Sequence, residues 1–173
     1  MSEVARAATA LVERAVRVAL ATVPDPEIPS CSILDLGMLH RIEATDARVE
    51  VVLLPTFAGC PALDVIRHDA VSALRRALPG YECEVRFSFE EPWTSDRISP
   101  EAHEQMRAIG IAPPGTKAVP VLVALGRPLP AGPCPYCSSE DTEAAGGFGP
   151  TPCRAVAYCR ACRNPFETFK PKR

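Results

Sequence analysis

RVEVVLLPTFAGCPALDVIRHDAVSALRRALPGYECEVRFSF, residues 48–89, carries three secondary-structure signals in succession. Val49, Val51 and Leu53 share one face of an extended segment over 48–54. Val52 and Leu54 are apolar as well, which predicts a central strand buried on both faces. Leu63, Ile66, Ala70, Ala73, Leu74 and Ala77 then recur at helical spacing. Pro61 suits the first position of that helix, making Cys60 its N-cap, and Pro79-Gly80 stops it near Leu78. Finally Cys83, Val85, Phe87 and Phe89 alternate with Glu82, Glu84, Arg86 and Ser88. A period of two predicts a half-buried strand with Cys83 facing inward.

Upstream, residues 38–44 pair with the first of these strands as a hairpin across the polar turn Thr45-Asp46-Ala47. Val4, Ala8, Leu11, Val12, Ala15, Val16 and Ala19 predict an amphipathic helix over 4–20. Between helix and hairpin, Val23-Pro-Asp-Pro-Glu-Ile-Pro29 cannot be helical and forms a stiff, shaped loop. Downstream, Pro92-Trp93-Thr94 is a turn, and a short helix over about 100–109 closes at Gly110. The order helix, strand, strand, helix, strand, helix specifies an α+β fold with the helices on one face of a small sheet.

The chain has 173 residues, 47% of them hydrophobic and 23% charged, the profile of a globular protein of one domain or two small ones. No apolar run approaches the roughly 20 residues of a membrane span. The first residues lack the pattern of a signal peptide, so a cytoplasmic, reducing location is expected. A net charge of −2 argues against nucleic acid as a partner and for proteins or small molecules. Eight cysteines need another use than disulfide staples, because a chain this long buries about two-thirds of its surface on folding.

Seven prolines between Ile111 and Pro135 make that segment extended and semi-rigid. The expected organisation is an α/β domain over 1–112, a linker over 113–130 and a small module over 131–173. A module of 43 residues is too small to hold a hydrophobic core unaided.

Cys134-Pro-Tyr-Cys137 and Cys159-Arg-Ala-Cys162, separated by 21 residues, have the C-x2-C…C-x2-C arrangement of zinc ribbons. Two cysteines three apart in a tight knuckle aim both thiolates at one ion, and two knuckles complete a tetrahedral set. Metal binding then supplies the folding free energy the module lacks. Four thiolates leave no open position for water, so Zn2+ bound there is structural. The alternatives for such pairs are a thiol-redox site or an iron–sulfur centre. The module sums to +2, and to about zero once four thiolates and a divalent ion are counted, which disfavours phosphate binding. Cys153 is either a neighbour packed against the site or an auxiliary thiol able to exchange into the shell.

A second constellation is Cys60 with the proline-rich loop. A cysteine at a helix N-terminus is stabilised as thiolate by the amides and the dipole. The bland alternative is a Gly-Cys-Pro turn that needs a small residue. His68 lies two turns along the same helix and is not placed as a base, and His40 and His103 read as surface residues. Asp25 and Glu27 are turn formers or carboxylates displayed at fixed geometry. Near Cys60 they would raise its pKa unless a cation were present, so an Asp/Cys cluster makes sense as a transient metal or cluster site.

Asp25-Pro-Glu-Ile-Pro29, Asp35-Leu-Gly-Met38, Pro55-Thr56 and Gly59-Cys-Pro-Ala62 resemble the PaaD-like family of metal–sulfur cluster assembly factors. The likeness to the PaaD (PaaJ) family extends through Pro92-Trp-Thr94, Ser99-Pro100, Gly110-Ile-Ala-Pro-Pro114, Phe148-Gly149, both knuckles with Cys153, Pro165-Phe166 and Phe169-Lys170. Pro150 and Arg97 depart from the family pattern. The resemblance implies a two-layer α/β sandwich like the iron–sulfur cluster assembly domains, followed by a zinc ribbon. It also implies a non-enzymatic accessory of aerobic phenylacetate degradation that assists insertion of an iron–sulfur cluster or iron into the phenylacetyl-CoA epoxidase. Its partners would be the oxygenase or reductase subunits, and a homodimer is a candidate assembly. Cys60, with Asp25 and Glu27, would take the cluster or iron. The competing expectation is a structural or regulatory subunit with no metal chemistry at Cys60.

Overall fold

The structure is a computed structural model that describes residues 3–114, 131–146 and 149–169. The chain divides into two compact units, Met1–Trp93 and Thr94–Arg173.

In the first unit, helix α1 (Glu3–Leu20) buries Val12, Val16, Ala19 and Leu20. Strand β1 (Leu39–Ala44) runs antiparallel to β2 (Arg48–Leu53), and the hairpin is closed by Thr45, whose Oγ1 accepts from the Arg48 amide at 3.2 Å. Helix α2 (Leu63–Ala77) then carries the chain back so that β3 (Glu82–Phe87) pairs parallel with β2. The sheet order is β1-β2-β3, with β2 in the centre as its apolar run predicts. Val49, Val51, Val52 and Leu53 are all buried, and α2 packs on α1 and β3.

The other face of the sheet is solvated and held together electrostatically. Glu43 stands opposite Glu50, and Glu50 opposite Glu84, a row of like charges that would destabilise the sheet by itself. Arg41 pairs with Glu43, Arg48 with Glu50 and Glu84, and Arg86 with Glu50. These partly exposed bridges are each worth at most about 1 kcal/mol, but they remove the repulsion. Hence the unit stops at two layers.

Two local expectations fail for physical reasons. Helix α2 begins at Leu63 with Ala62 as N-cap and no side-chain cap, so Cys60 is not the capping residue and Pro61 is not the first helical one. Residues 57–60 instead form a turn closed by the Cys60 amide on the Phe57 carbonyl at 3.1 Å. And β3 ends at Phe87, because β2 leaves the ladder at Leu53, so Phe89 has no strand to pack beside and is 61% exposed.

In the second unit, a 3-10 turn (Ser95–Arg97) precedes helix α3 (Pro100–Ala108). Ser99 caps that helix, its Oγ accepting from the Ala102 amide at 3.1 Å. Gly110, at φ +80°, ends the segment in a conformation that suits glycine. Two residues, Ile111–Ala112 (β4), join β5 (Thr142–Gly146), β6 (Arg154–Cys159) and β7 (Pro165–Phe169) in a sheet of order β4-β7-β6-β5. Residues 94–112, expected in the first domain, are therefore part of the ribbon unit by backbone hydrogen bonding. From residue 115 the expected linker lies outside the described residues, as do Phe148 and Lys170 of the resemblance. Ala112, Cys134, Ala157, Cys159 and Phe166 make the ribbon's small core. Among the described residues no helix is long and apolar enough to cross a membrane.

Truncating the centre of the first unit, Leu53→Ala, should cost about 2–5 kcal/mol, read as a lower urea midpoint at unchanged m-value. A loss under about 1 kcal/mol would show that β2 is not the packing centre.

Candidate functional site

The two cysteine knuckles are built alike. Each begins with a buried cysteine, Cys134 or Cys159, and ends with a more exposed one, Cys137 or Cys162. The Cys134 amide donates to Ser139 O at 2.9 Å and the Cys159 amide to Asn164 O at 3.0 Å. In return Ser138 N donates to Cys134 O and Arg163 N to Cys159 O, both at 2.9 Å. Ser138 and Arg163 hold the corresponding left-handed positions, φ +59° and +61°. One backbone turn is thus used twice, and it brings four Sγ atoms within 4.8 Å of one another.

The sulfur spacing fits a metal ion. Cys134 and Cys162 lie 3.7 Å apart and Cys137 and Cys159 3.6 Å. A tetrahedron with metal–sulfur bonds of about 2.3 Å has edges of about 3.8 Å. The electrostatics agree. The Asn164 backbone hydrogen bond, helped by its side chain and by Cys159 and Cys137, pulls the Cys162 thiol down to about 6. Against the pull of the Ser139 backbone hydrogen bond, desolvation and hydrogen bonds to Cys159, Cys162 and Cys134 push Cys137 up to about 12. One thiolate therefore forms readily and opposes the next, and a divalent cation is what allows four.

Strand direction assembles a second location. Because β2 and β3 are parallel, the loop after β2 and the segment after β3 leave from one edge of the sheet. Because β1 is antiparallel, the segment that enters it arrives at that same edge. Hydrogen bonds tie the three together: Leu54 N to Met38 O at 2.7 Å, Ser88 N to Leu53 O at 2.9 Å, and Trp93 Nε1 to Leu36 O at 2.9 Å. The proline-rich loop, the Cys60 turn and the Pro92-Trp93 turn thus share one sheet edge, at the carboxyl ends of β2 and β3.

Asp25 shapes its own loop. It is buried, and its Oδ1 accepts from the amides of Glu27 at 2.8 Å and Ile28 at 3.0 Å. This is the turn-forming use of a short carboxylate. Asp35 does the same for the next turn, accepting from the Ser32 amide at 3.1 Å and hydroxyl at 2.6 Å. Among the described residues the ribbon cysteines are the one group of three or more such side chains arranged to hold a metal, and Asp25, Glu27 and Cys60 are not drawn into another. Cys60 is half-exposed, whereas Cys31 is buried; its thiol is raised by burial, against a lowering hydrogen bond from Ser30, with Asp35 and Asp25 raising it further. Cys83 is buried and likewise raised by desolvation.

Cys153 does not adjoin the four thiols. It precedes β6, whose far end is Cys159, and six extended residues span about 20 Å. Its Sγ sits 3.3 Å from Thr151 Oγ1. That distance is incompatible with exchange into the shell of the folded ribbon. Two contributors escaped the sequence reading: Asp35, signalled by Ser32-x-x-Asp35, and Trp93 as an anchor for the Leu36 turn.

Comparison with known proteins bears on both locations. A family model described as "Iron-sulfur cluster assembly protein" matches residues 13–87, and one described as "PaaD zinc beta ribbon domain" matches residues 120–170. The "Putative 1,2-phenylacetyl-CoA epoxidase" component of PaaD type from Escherichia coli K12 is 34% identical over 154 residues, 87% of this chain and 88% of its own. The "Fe-S protein maturation auxiliary factor" of Porphyromonas gingivalis is 33% identical over 84 residues, 48% of this chain and 79% of its own. The crystal structure of a domain of unknown function, DUF59, from Bacillus anthracis superposes with a TM-score of 0.51 at 26% identity, covering 58% of this chain and 92% of that one. The α+β fold predicted from residues 38–89 and the ribbon predicted from the knuckles are both found.

Metal analysis should return one divalent ion per chain, lost in Cys159→Ser together with the ribbon's thermal transition; full metal content in that variant would contradict a four-thiolate centre. In the native protein, iodoacetamide at pH 7.5 should label Cys60 well before Cys31 or Cys83, read by peptide mass mapping. Equal labelling would show that the loop does not protect Cys31.

Proposed function

The chain belongs to the PaaD family of 1,2-phenylacetyl-CoA epoxidase components, and we propose that this protein is a non-catalytic maturation factor of that epoxidase, assisting insertion of an iron–sulfur cluster or iron. The observation that carries this reading is the placement of Cys60: a half-exposed thiol on a closed turn, at the edge where all three loops meet. In open α/β sheets, ligands bind outside the carboxyl ends of the strands, and Cys60 follows β2 there. The relatives named as Fe-S maturation auxiliary factors cover this half of the chain.

A single thiol suits transfer better than storage. Cys60 as thiolate would hold the cargo by one iron–sulfur bond. Hand-over exchanges that bond for one to a thiolate of the recipient, whose thiol loses a proton while Cys60 regains one, with no net oxidation. Asp25 and Glu27 then act by fixing the loop rather than as ligands. The ribbon, closed by Cys134, Cys137, Cys159 and Cys162 around Zn2+, is a rigid structural module. His68 is exposed two turns along α2 and is not placed to serve Cys60 as a base, which disfavours hydrolytic chemistry. The recipients are the oxygenase or reductase subunits, and the setting is the cytoplasm. The alternative, a structural or regulatory role in the epoxidase complex, finds support in the separation of Asp25 and Glu27 from any metal-holding group among the described residues.

Anaerobically purified protein should carry iron and sulfide that disappear in Cys60→Ala, while the ribbon metal stays. Epoxidase produced with Cys60→Ala should be inactive, and epoxidase reconstituted chemically should work without this protein. Full activity with Cys60→Ala would refute the maturation role in favour of the structural one.

A further inference from the structure

Beside Cys60 the same turn presents an aromatic ring to solvent. Phe57 is 38% exposed, and its carbonyl accepts the Cys60 amide at 3.1 Å. The ring lies against Gly59, where a Cβ would stand 3.1 Å from Phe57 Cε1. Ring and thiol are therefore held as neighbours by one closed turn. Phe89, 61% exposed, leaves β3 at the same sheet edge, directly after Ser88 bonds to Leu53 O. Exposed aromatics next to a functional group mark interaction surfaces, since burying a ring is favourable in proportion to its area.

The surroundings are acidic. Glu90 and Glu91 follow Phe89 and are exposed, and Glu27 comes to this edge on the proline-rich loop. Among the described residues no lysine or arginine pairs with Glu90 or Glu91; the one basic group near them is His40, 3.9 Å from Glu91. We propose that this edge is a docking surface for a partner protein that sets an apolar side chain against Phe57 and Phe89 and rings it with lysine or arginine. The partner is the recipient of the Cys60 cargo, a step that rests on the maturation reading. Other occupants fit worse. A second copy would meet the patch with itself, placing Glu90 and Glu91 against their own counterparts. An anionic lipid surface would be repelled by the same carboxylates.

The test is the affinity of the full chain for two probes, the oxygenase and the reductase subunits of the epoxidase without their clusters, at low and high salt. At least one probe should bind, more weakly as salt rises. Phe57→Ser and Phe89→Ser should each weaken that binding by about tenfold, while Phe57→Leu retains most of it. Glu90→Lys with Glu91→Lys should weaken it comparably and flatten its salt dependence. Iron and sulfide content should stay at the wild-type level in all these variants. Binding to neither probe, unchanged affinity in Phe57→Ser and Phe89→Ser, or tighter binding after charge reversal would overturn the docking surface. If instead docking depends on the phenylalanines but Cys60→Ala leaves iron content unchanged, the surface stands and the maturation reading fails.

Discussion

The parallel pairing of β2 with β3 is the constraint on which the first unit depends. A parallel pair cannot be closed by a tight turn, so the chain must cross over, and α2 is that crossover. The crossover covers one face of the sheet and leaves the other to water. It also fixes where loops emerge. Two strands that run the same way end at the same edge, and the antiparallel β1 begins there. Residues as distant in sequence as Leu36, Leu54 and Trp93 are neighbours for that reason, not through any affinity of their own.

The ribbon solves a different problem by repetition. Its core of five small or medium residues cannot balance the chain entropy of its strands, so it needs an ion. The two knuckles present that ion with the same turn, each ending in a left-handed residue that turns the last amides toward sulfur. The spacing C-x2-C is legible because it is a local geometric requirement. Nothing beyond the knuckle has to be known to read it.

Legibility elsewhere follows the same rule. The alternation over 82–87 and the helical spacing over 63–77 are local, and both elements form where predicted. What failed was set by distant chain. Phe89 continues the alternation but has lost its neighbouring strand. The two residues of β4 carry no period at all and become a strand through β7. Cys60 fits a capping position by composition, yet a turn closed on Phe57 delays the helix. Cys153 is near the knuckles in sequence but is carried away by β6. The candidate site was legible as residue types, Asp25 and Cys60, and the roles were not: the Asp25 carboxylate is engaged by amides of its own loop.

Tyr136 lies between the two cysteines of the first knuckle, and its hydroxyl occupies the space a Cβ would take at Gly110, 2.5 Å from that position. The knuckle therefore leans on the end of α3, and β4 follows immediately. Chelation would not only unravel a ribbon. It would withdraw the support under a helix twenty-six residues upstream, so the metal-dependent body of this protein reaches back to the turn after Trp93, and proteolysis of apo-protein would open there as well as among the cysteines.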